Sequence, residues 1–169
     1  MTQNENNLVF VPLGGTGEIG MNCNLYGYGA GNRRDWIMVD LGVTFGRYTE
    51  PGIELITADT GFIEAEKGRL HALLLTHGHE DHIGAVAHLW PRLKCPVYAT
   101  AFTAELVRGK LAEAGLLEAV PLHIVDPQQS IELGPFQIDY IGLTHSIAEP
   151  NALAVRCGGA RVLHTGDWK

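Results

Sequence analysis

The sequence is short of cysteine, of positive charge and of long apolar runs, and each shortage removes a class of protein. Three cysteines, Cys23, Cys95 and Cys157, are too scattered and odd in number for a disulfide framework. They read as small buried apolar residues of a protein kept in a reducing compartment, the cytoplasm. Lysine and arginine number 12 against 19 aspartates and glutamates, a net charge of −7. That balance excludes a protein that holds nucleic acid by surface charge alone. No apolar stretch approaches the ~20 residues needed to cross a bilayer, so no membrane partner is expected. The opening MTQNENNLVF lacks the basic-then-apolar order of a secretory signal. What is present is 46% hydrophobic residues over 169 positions, enough for one domain with a fair-sized core.

Residues 1–7 form a polar lead-in, expected to be mobile. Strands are expected at Leu8–Leu13 and Trp36–Val39, with a turn at Gly29–Arg34. Between the first two comes GGTGEIG, where Gly15, Gly17 and Gly20 match the spacing G-x-G-x-x-G and Asp40 follows at the distance of a dinucleotide fingerprint. That fingerprint needs a helix after the glycines. MNCNLYGYG alternates like a strand instead, so a glycine turn between strands is expected. A long glycine-bearing loop is expected over Gly42–Ala58. A short helix should cover Asp59–Gly68, capped by Asp59 or Thr60. Ile83–Trp90 reads as a helix stopped by Pro91. Thr100–Ala114 reads as a helix stopped by Gly115, with Phe102, Leu106 and Leu111 in the core. Strands follow at Leu122–Val125, Ser130–Leu133, Phe136–Leu143, Asn151–Cys157 and Arg161–His164. Strands interspersed with helices give an α/β or α+β class.

The chemistry concentrates in LHALLLTHGHEDH. A buried strand, Leu70–Thr76, breaks into His77, Gly78, His79, Glu80, Asp81 and His82. Three imidazoles and two carboxylates in six residues have little packing value. In an extended segment His77 and His79 point the same way, with Gly78 allowing a tight turn between them. Asp81 and His82 follow where a helix begins. Imidazole nitrogen and carboxylate oxygen are the donors zinc takes at catalytic sites. Two ions can be served, one by His77 and His79, the other by Asp81 and His82. Three further strand tips carry polar groups: Asp40, His145 and Asp167. Side chains at strand ends are well placed to form a site.

The sequence THGHEDH resembles the signature of the metallo-β-lactamase superfamily. LGGTGEIGMN, PGIELI, LTHGHEDHIGA, HSI and HTGDWK resemble the ribonuclease J family within it, over nearly all of residues 8–169. Ala148 departs from the proline often found after HSI. The resemblance implies an αββα sandwich with His77, His79 and His145 on one metal, and Asp81, His82 and a bridging Asp167 on a second. Asp40 would orient a ligand histidine through a hydrogen bond. Asp81 and His82 would also be catalytic residues, with Asp81 able to take a proton from the attacking water. His71, His88, His123 and His164 match no motif position and are expected to be structural. The implied reaction is metal-dependent hydrolysis of RNA phosphodiesters, endo- or 5′-to-3′ exonucleolytic. Zn2+ fits the nitrogen-rich donors best and Mn2+ is an alternative. The complete enzyme would self-associate.

Residues 1–169 are thus expected to be the N-terminal portion of such a domain, an incomplete sandwich without the β-CASP and C-terminal domains. The histidine that completes the second metal, and the groups that grip the nucleotide, would lie outside it. Two other readings stand beside this one. The same fold could hydrolyse a thioester or a lactone, or the chain could be a folded module with no turnover.

Overall fold

In the computed structural model, which describes residues 6–169, apolar alternation near the start yields three antiparallel strands: β1 (Asn7–Gly14), β2 (Cys23–Ala30) and β3 (Arg33–Val39). The glycine loop leads into β2 and not a helix, which removes the dinucleotide reading. Of the expected polar lead-in, residues 1–5 lie outside the described residues, and Asn7 already belongs to β1. The span Gly42–Ala58, expected as a loop, contains a small hairpin of β4 (Val43–Phe45) and β5 (Leu55–Thr57). Helix α1 (Gly61–Ala65) follows, with the Asp59 carboxylate accepting the Gly61 amide at 2.8 Å.

A 3-10 turn at Lys67–Arg69 feeds β6 (Leu70–Leu74), which lies parallel to β3. Beyond it are α2 (Glu80–Ile83), α3 (Val86–Leu93), β7 (Val97–Ala99), α4 (Ala101–Glu113) and β8 (Leu122–Ile124). Pro91 does not stop its helix. It sits inside the last turns of α3, where it forfeits one amide bond, and the helix closes at Lys94 with φ 53°. Strands β1, β2, β3, β6, β7 and β8, in that spatial order, make one sheet, antiparallel at the first two pairings and parallel thereafter.

Strands β9 (Ile131–Leu133), β10 (Phe136–Gly142), β11 (Asn151–Cys157) and β12 (Ala160–His164) form a second, antiparallel sheet in the order β12-β11-β10-β9. Alternate residues of the large sheet serve two cores. Leu25, Met38, Leu73 and Leu75 pack with Ile63, Val86, Leu93, Val107 and Leu111 of the helices. Ile37, Val39, Ala72 and Leu74 pack with Phe136, Ile138, Tyr140, Leu153 and Val155 of the small sheet. The result is an α/β protein with three layers, helix, sheet and sheet. Among the described residues no helix covers the outer face of the small sheet, where Ile141 and Leu163 are exposed. The fourth layer of the expected αββα sandwich is therefore not among them. No helix is long and apolar enough to cross a membrane among the described residues.

Helix α4 buries Thr103, Ala104, Val107 and Leu111. Phe102 and Leu106, expected in the core beside Leu111, are instead 38% and 39% exposed. Thr103, Ala104, Val107 and Leu111 face the core, and Phe102 and Leu106 sit at its margin. Phe136→Ala, which empties the contact between sheets, should cost about 3–5 kcal/mol. Phe102→Ala should cost less than about 1 kcal/mol. Urea unfolding of the two variants checks the contrast.

Candidate metal centre

Every strand whose tip was expected to matter delivers that tip to one edge of the two sheets. Asp40 follows β3, His77 follows β6, His145 follows β10 and Asp167 follows β12. The parallel pairing of β3 with β6, register Val39 to Leu74, makes the first two tips neighbours. Backbone bonds then stitch three loops together. The Asn22 amide donates to the Asp81 carbonyl, the Leu41 amide to that of His82, and the Gly42 amide to that of Asn22, each at 2.8 to 2.9 Å. Gly42 is required by this approach, since a Cβ there would fall 1.7 Å from the Asp81 carbonyl oxygen. A Cβ at Gly78 would meet only the tip of the half-exposed Leu106 side chain, which can move aside.

Three imidazoles converge. His77 Nε2 lies 3.1 Å from His79 Nδ1, and His145 Nε2 lies 3.2 Å from the same atom. One nitrogen from each of the three falls within 4.8 Å of the others. His79 Nδ1 has one proton or one lone pair, so it can pair with only one of the two nitrogens that face it. A cation between them would accept all three lone pairs. Tetrahedral zinc with bonds of about 2.0–2.1 Å sets its ligand atoms about 3.3–3.4 Å apart, close to the separations seen. The donor set therefore fits a metal ion.

Beside this trio lies a second group, His82 and Asp167, with His77 at its edge. His82 Nε2 is 3.5 Å from Asp167 Oδ1 and 3.6 Å from Asp81 Oδ2. The other Asp167 oxygen, Oδ2, is 3.7 Å from His145 Nε2. One carboxylate thus turns an oxygen toward each group. Asp81 reaches His82 but falls outside the tight group with His77 and Asp167.

Asp40 is fully buried and accepts from His82 Nδ1 at 2.7 Å. It also accepts from the Thr76 amide at 2.8 Å and from the Thr76 hydroxyl at 2.9 Å. Its φ of 62° turns the chain sharply enough to bring the carboxylate beneath the ring. Burial works to raise its pKa, but the charge and N–H of His82 and the Thr76 amide outweigh burial and hold it below its ordinary value. For His82, burial works downward, and Asp40, Asp81 and Asp167 together lift it to about 9. His77 goes the other way: burial first, then the charge of His82, push it down to about 4. With Nδ1 of His82 committed to Asp40, it is Nε2 that faces Asp81 and Asp167.

Several participants sit inside the quoted motifs, but their residue types announce no role of their own. Thr76 joins Asp40 to His77, its hydroxyl lying 3.0 Å from His77 Nδ1. Asn22, at the end of the glycine loop, places Nδ2 3.2 Å from His82 Nε2 and 3.0 Å from the Asp81 carbonyl. His164 lines the cleft of about 340 Å³ that also exposes His82 and Asp167. Its Nδ1 pairs with the Tyr26 hydroxyl at 3.0 Å. His71 lies away from the cluster, paired with Asp35 at 2.9 Å. Cys23, Cys95 and Cys157 are buried free thiols.

The model of the beta-lactamase superfamily domain matches residues 49–169. The chain belongs to the beta-lactamase superfamily. Superfamily relatives of high similarity include the ribonuclease J of Sinorhizobium meliloti, 48% identical over all of this chain and 30% of the relative. That of Corynebacterium glutamicum is 40% identical over 97% of this chain and 22% of its own length. That of Helicobacter pylori strain 26695 is 34% identical over 94% and 22%. The chain thus spans less than a third of the length of these relatives. Among solved structures, the metallo-beta-lactamase fold protein YhfI from Bacillus subtilis superposes with a TM-score of 0.60 at 18% identity, over 94% of this chain and 61% of that one. A protein from Enterococcus faecalis V583 gives 0.63 at 14% identity, over 98% and 44%. At those identities they carry the fold alone.

In the metal-free chain, the raised pKa of His82 stabilises the fold fully below about 6.5, and this contribution is lost as pH rises toward 9. The depressed Asp40 contributes above its ordinary pKa and is lost in acid. Thermal unfolding in the presence of a chelator should show stability declining between pH 6.5 and 9. Asp40→Asn should flatten that decline.

Proposed function

We propose that this chain contributes the metal-binding core of a metal-dependent ribonuclease that hydrolyses RNA phosphodiesters. The observation that carries the chemistry is the convergence of His77, His79 and His145 beside the His82–Asp167 pair. The substrate class rests on similarity to proteins named ribonuclease J over nearly the whole chain. In this reading residues 1–169 are the N-terminal portion of the lactamase domain, and the β-CASP region and further donors lie elsewhere in the protein. RNA processing and decay in the cytoplasm, and self-association of the whole enzyme, belong to the same proposal.

His77, His79 and His145 would hold one ion. His82 and Asp167, with Asp81 nearby, would hold a second, and Asp167 has an oxygen for each. Zinc suits a set dominated by imidazole, with manganese as the alternative. Such ions, when bound, supply a water acidic enough to be deprotonated near neutral pH and positive charge for the phosphoryl oxygens.

The chain's own residues do the rest. Asp40 holds a proton on His82 Nδ1 and keeps Nε2 turned into the cleft. Thr76 ties Asp40 and His77 into one unit. Asp81, 30% exposed at the cleft, can accept a proton from the attacking water at Oδ2. Asn22 donates to the Asp81 carbonyl and carboxylate and so fixes its direction. A net charge of −7 leaves the centre itself as the main attraction for a phosphate.

Elemental analysis should find about one tightly held zinc per chain and a second bound more weakly, since the second group has fewer donors here. Supplied with zinc, the whole protein that contains this portion should degrade RNA bearing a 5′ monophosphate, and His79→Ala should lower that rate by about 100-fold or more. A thioester hydrolysed in place of RNA would assign the other reaction class. RNA cleavage at full rate in His79→Ala would reject the metal reading.

A further inference from the structure

Of the three histidines around the first group, His145 is held differently. His77 is oriented by the Thr76 hydroxyl on its Nδ1, at 3.0 Å. His79 sits on the same short turn, at the head of α2. His145 comes from residues 143–150, a segment without regular structure between β10 and β11. Its Nδ1 is buried, and among the described residues it has no hydrogen-bond partner. No hydrogen bond on Nδ1 therefore steers the ring; Nε2 meets only the other candidate ligands, His79 Nδ1 at 3.2 Å and Asp167 Oδ2 at 3.7 Å, so where the segment's backbone is fixed sets where the ring lies.

That fixing is done at a few points. The Leu143 amide donates to the Pro150 carbonyl at 2.9 Å and closes the segment into a loop. Asn151, 4% exposed, donates from its backbone and its side chain to the Thr76 carbonyl, at 3.1 and 3.3 Å. Its side chain also donates to the Glu149 carbonyl at 2.6 Å. These bonds secure the ends. The Lys169 amide donates to the Thr144 carbonyl at 3.0 Å, and among the described residues one further side-chain bond, besides the contact of His145 with His79, carries the loop outward to a separate element. The Glu149 carboxylate accepts the Phe102 amide at 2.9 Å, in the first turn of the thirteen-residue helix α4. Glu149 adopts φ 51°, a left-handed conformation uncommon for glutamate, in making it. A carboxylate at a helix start satisfies a free N–H and meets the positive end of the helix dipole. Thr100, the residue that would ordinarily cap α4, makes no such bond with its side chain.

We propose that Glu149 is a positioning residue for the first metal group. It anchors the His145 loop to α4 and so sets His145 Nε2 opposite His79 Nδ1. The inference rests on the metal-centre reading above and adds a residue that touches neither ion nor substrate. It also makes a distinction between geometry and charge. A carboxylate near a cation could help simply by being negative. Anchoring requires an acceptor at the right reach, charged or not.

The test is Co2+ binding to the chain, followed by the visible absorption of the tetrahedral ion, with Glu149→Gln, Glu149→Asp and Glu149→Ala compared at matched thermal stability. Glu149→Gln keeps an acceptor of the same length and should bind within about twofold of the unsubstituted chain. Glu149→Asp keeps the charge but is one methylene short, and should weaken binding about fivefold, as should Glu149→Ala. Unchanged affinity in Glu149→Asp overturns the proposal, and so does a loss in Glu149→Gln as large as in Glu149→Ala. Should Glu149→Ala fail to fold, the Gln and Asp variants decide alone. Failure of the unsubstituted chain to give a tetrahedral Co2+ spectrum would instead remove the metal centre itself, and this inference with it.

Discussion

A carboxylate with no exposed surface needs a partner, and the pairing of Asp40 with His82 satisfies that need for both groups. Much of the site depends on it. The bond settles which nitrogen of His82 faces the cleft. Thr76, bonded to the same carboxylate, touches His77 in turn. The tips of β3 and β6, adjacent through parallel pairing, are thereby locked to the loop that carries most of the donors. A buried ion pair is an uncertain source of stability, and its value here lies in fixing one arrangement of several rings.

That pairing also sets opposite charge states in adjacent rings. His82 is held protonated in the free chain while His77, with ring centroids 4.0 Å apart, is held neutral. Neutral His77 has a lone pair ready for an ion. His82 must give up a proton before Nε2 can serve as a donor, so the two groups differ in what binding costs them.

The sequence was most legible where chemistry and period coincided. Apolar strands ending in Asp40, His77, His145 and Asp167 announced both the sheets and the edge where they converge. Legibility failed where context decides. The β4–β5 hairpin has strands of three residues, too short to show alternation among Gly46 and Gly52. In α4 the large residues Phe102 and Leu106 suggested the wrong face, because the sheet accepts the smaller Thr103, Ala104 and Val107. Pro91 looked like a stop, but α3 runs on to Leu93 and closes only at Lys94, so the lost bond does not set the boundary. The roles of Thr76, Asn22 and Glu149 arise from contacts across 36 to 59 residues, which no local pattern displays.

The strand directions have a practical corollary. Because the donors gather at one rim, the tight turns at Gly31–Asn32, Gly134–Pro135 and Gly158–Gly159 lie at the opposite rim. Gly158 packs closely against the hydroxyl of Tyr28 from β2, and none of these turns lines the cleft. A fluorophore or affinity handle grafted at Asn32 would report on the molecule, or immobilise it, a full strand length from the candidate metal centre.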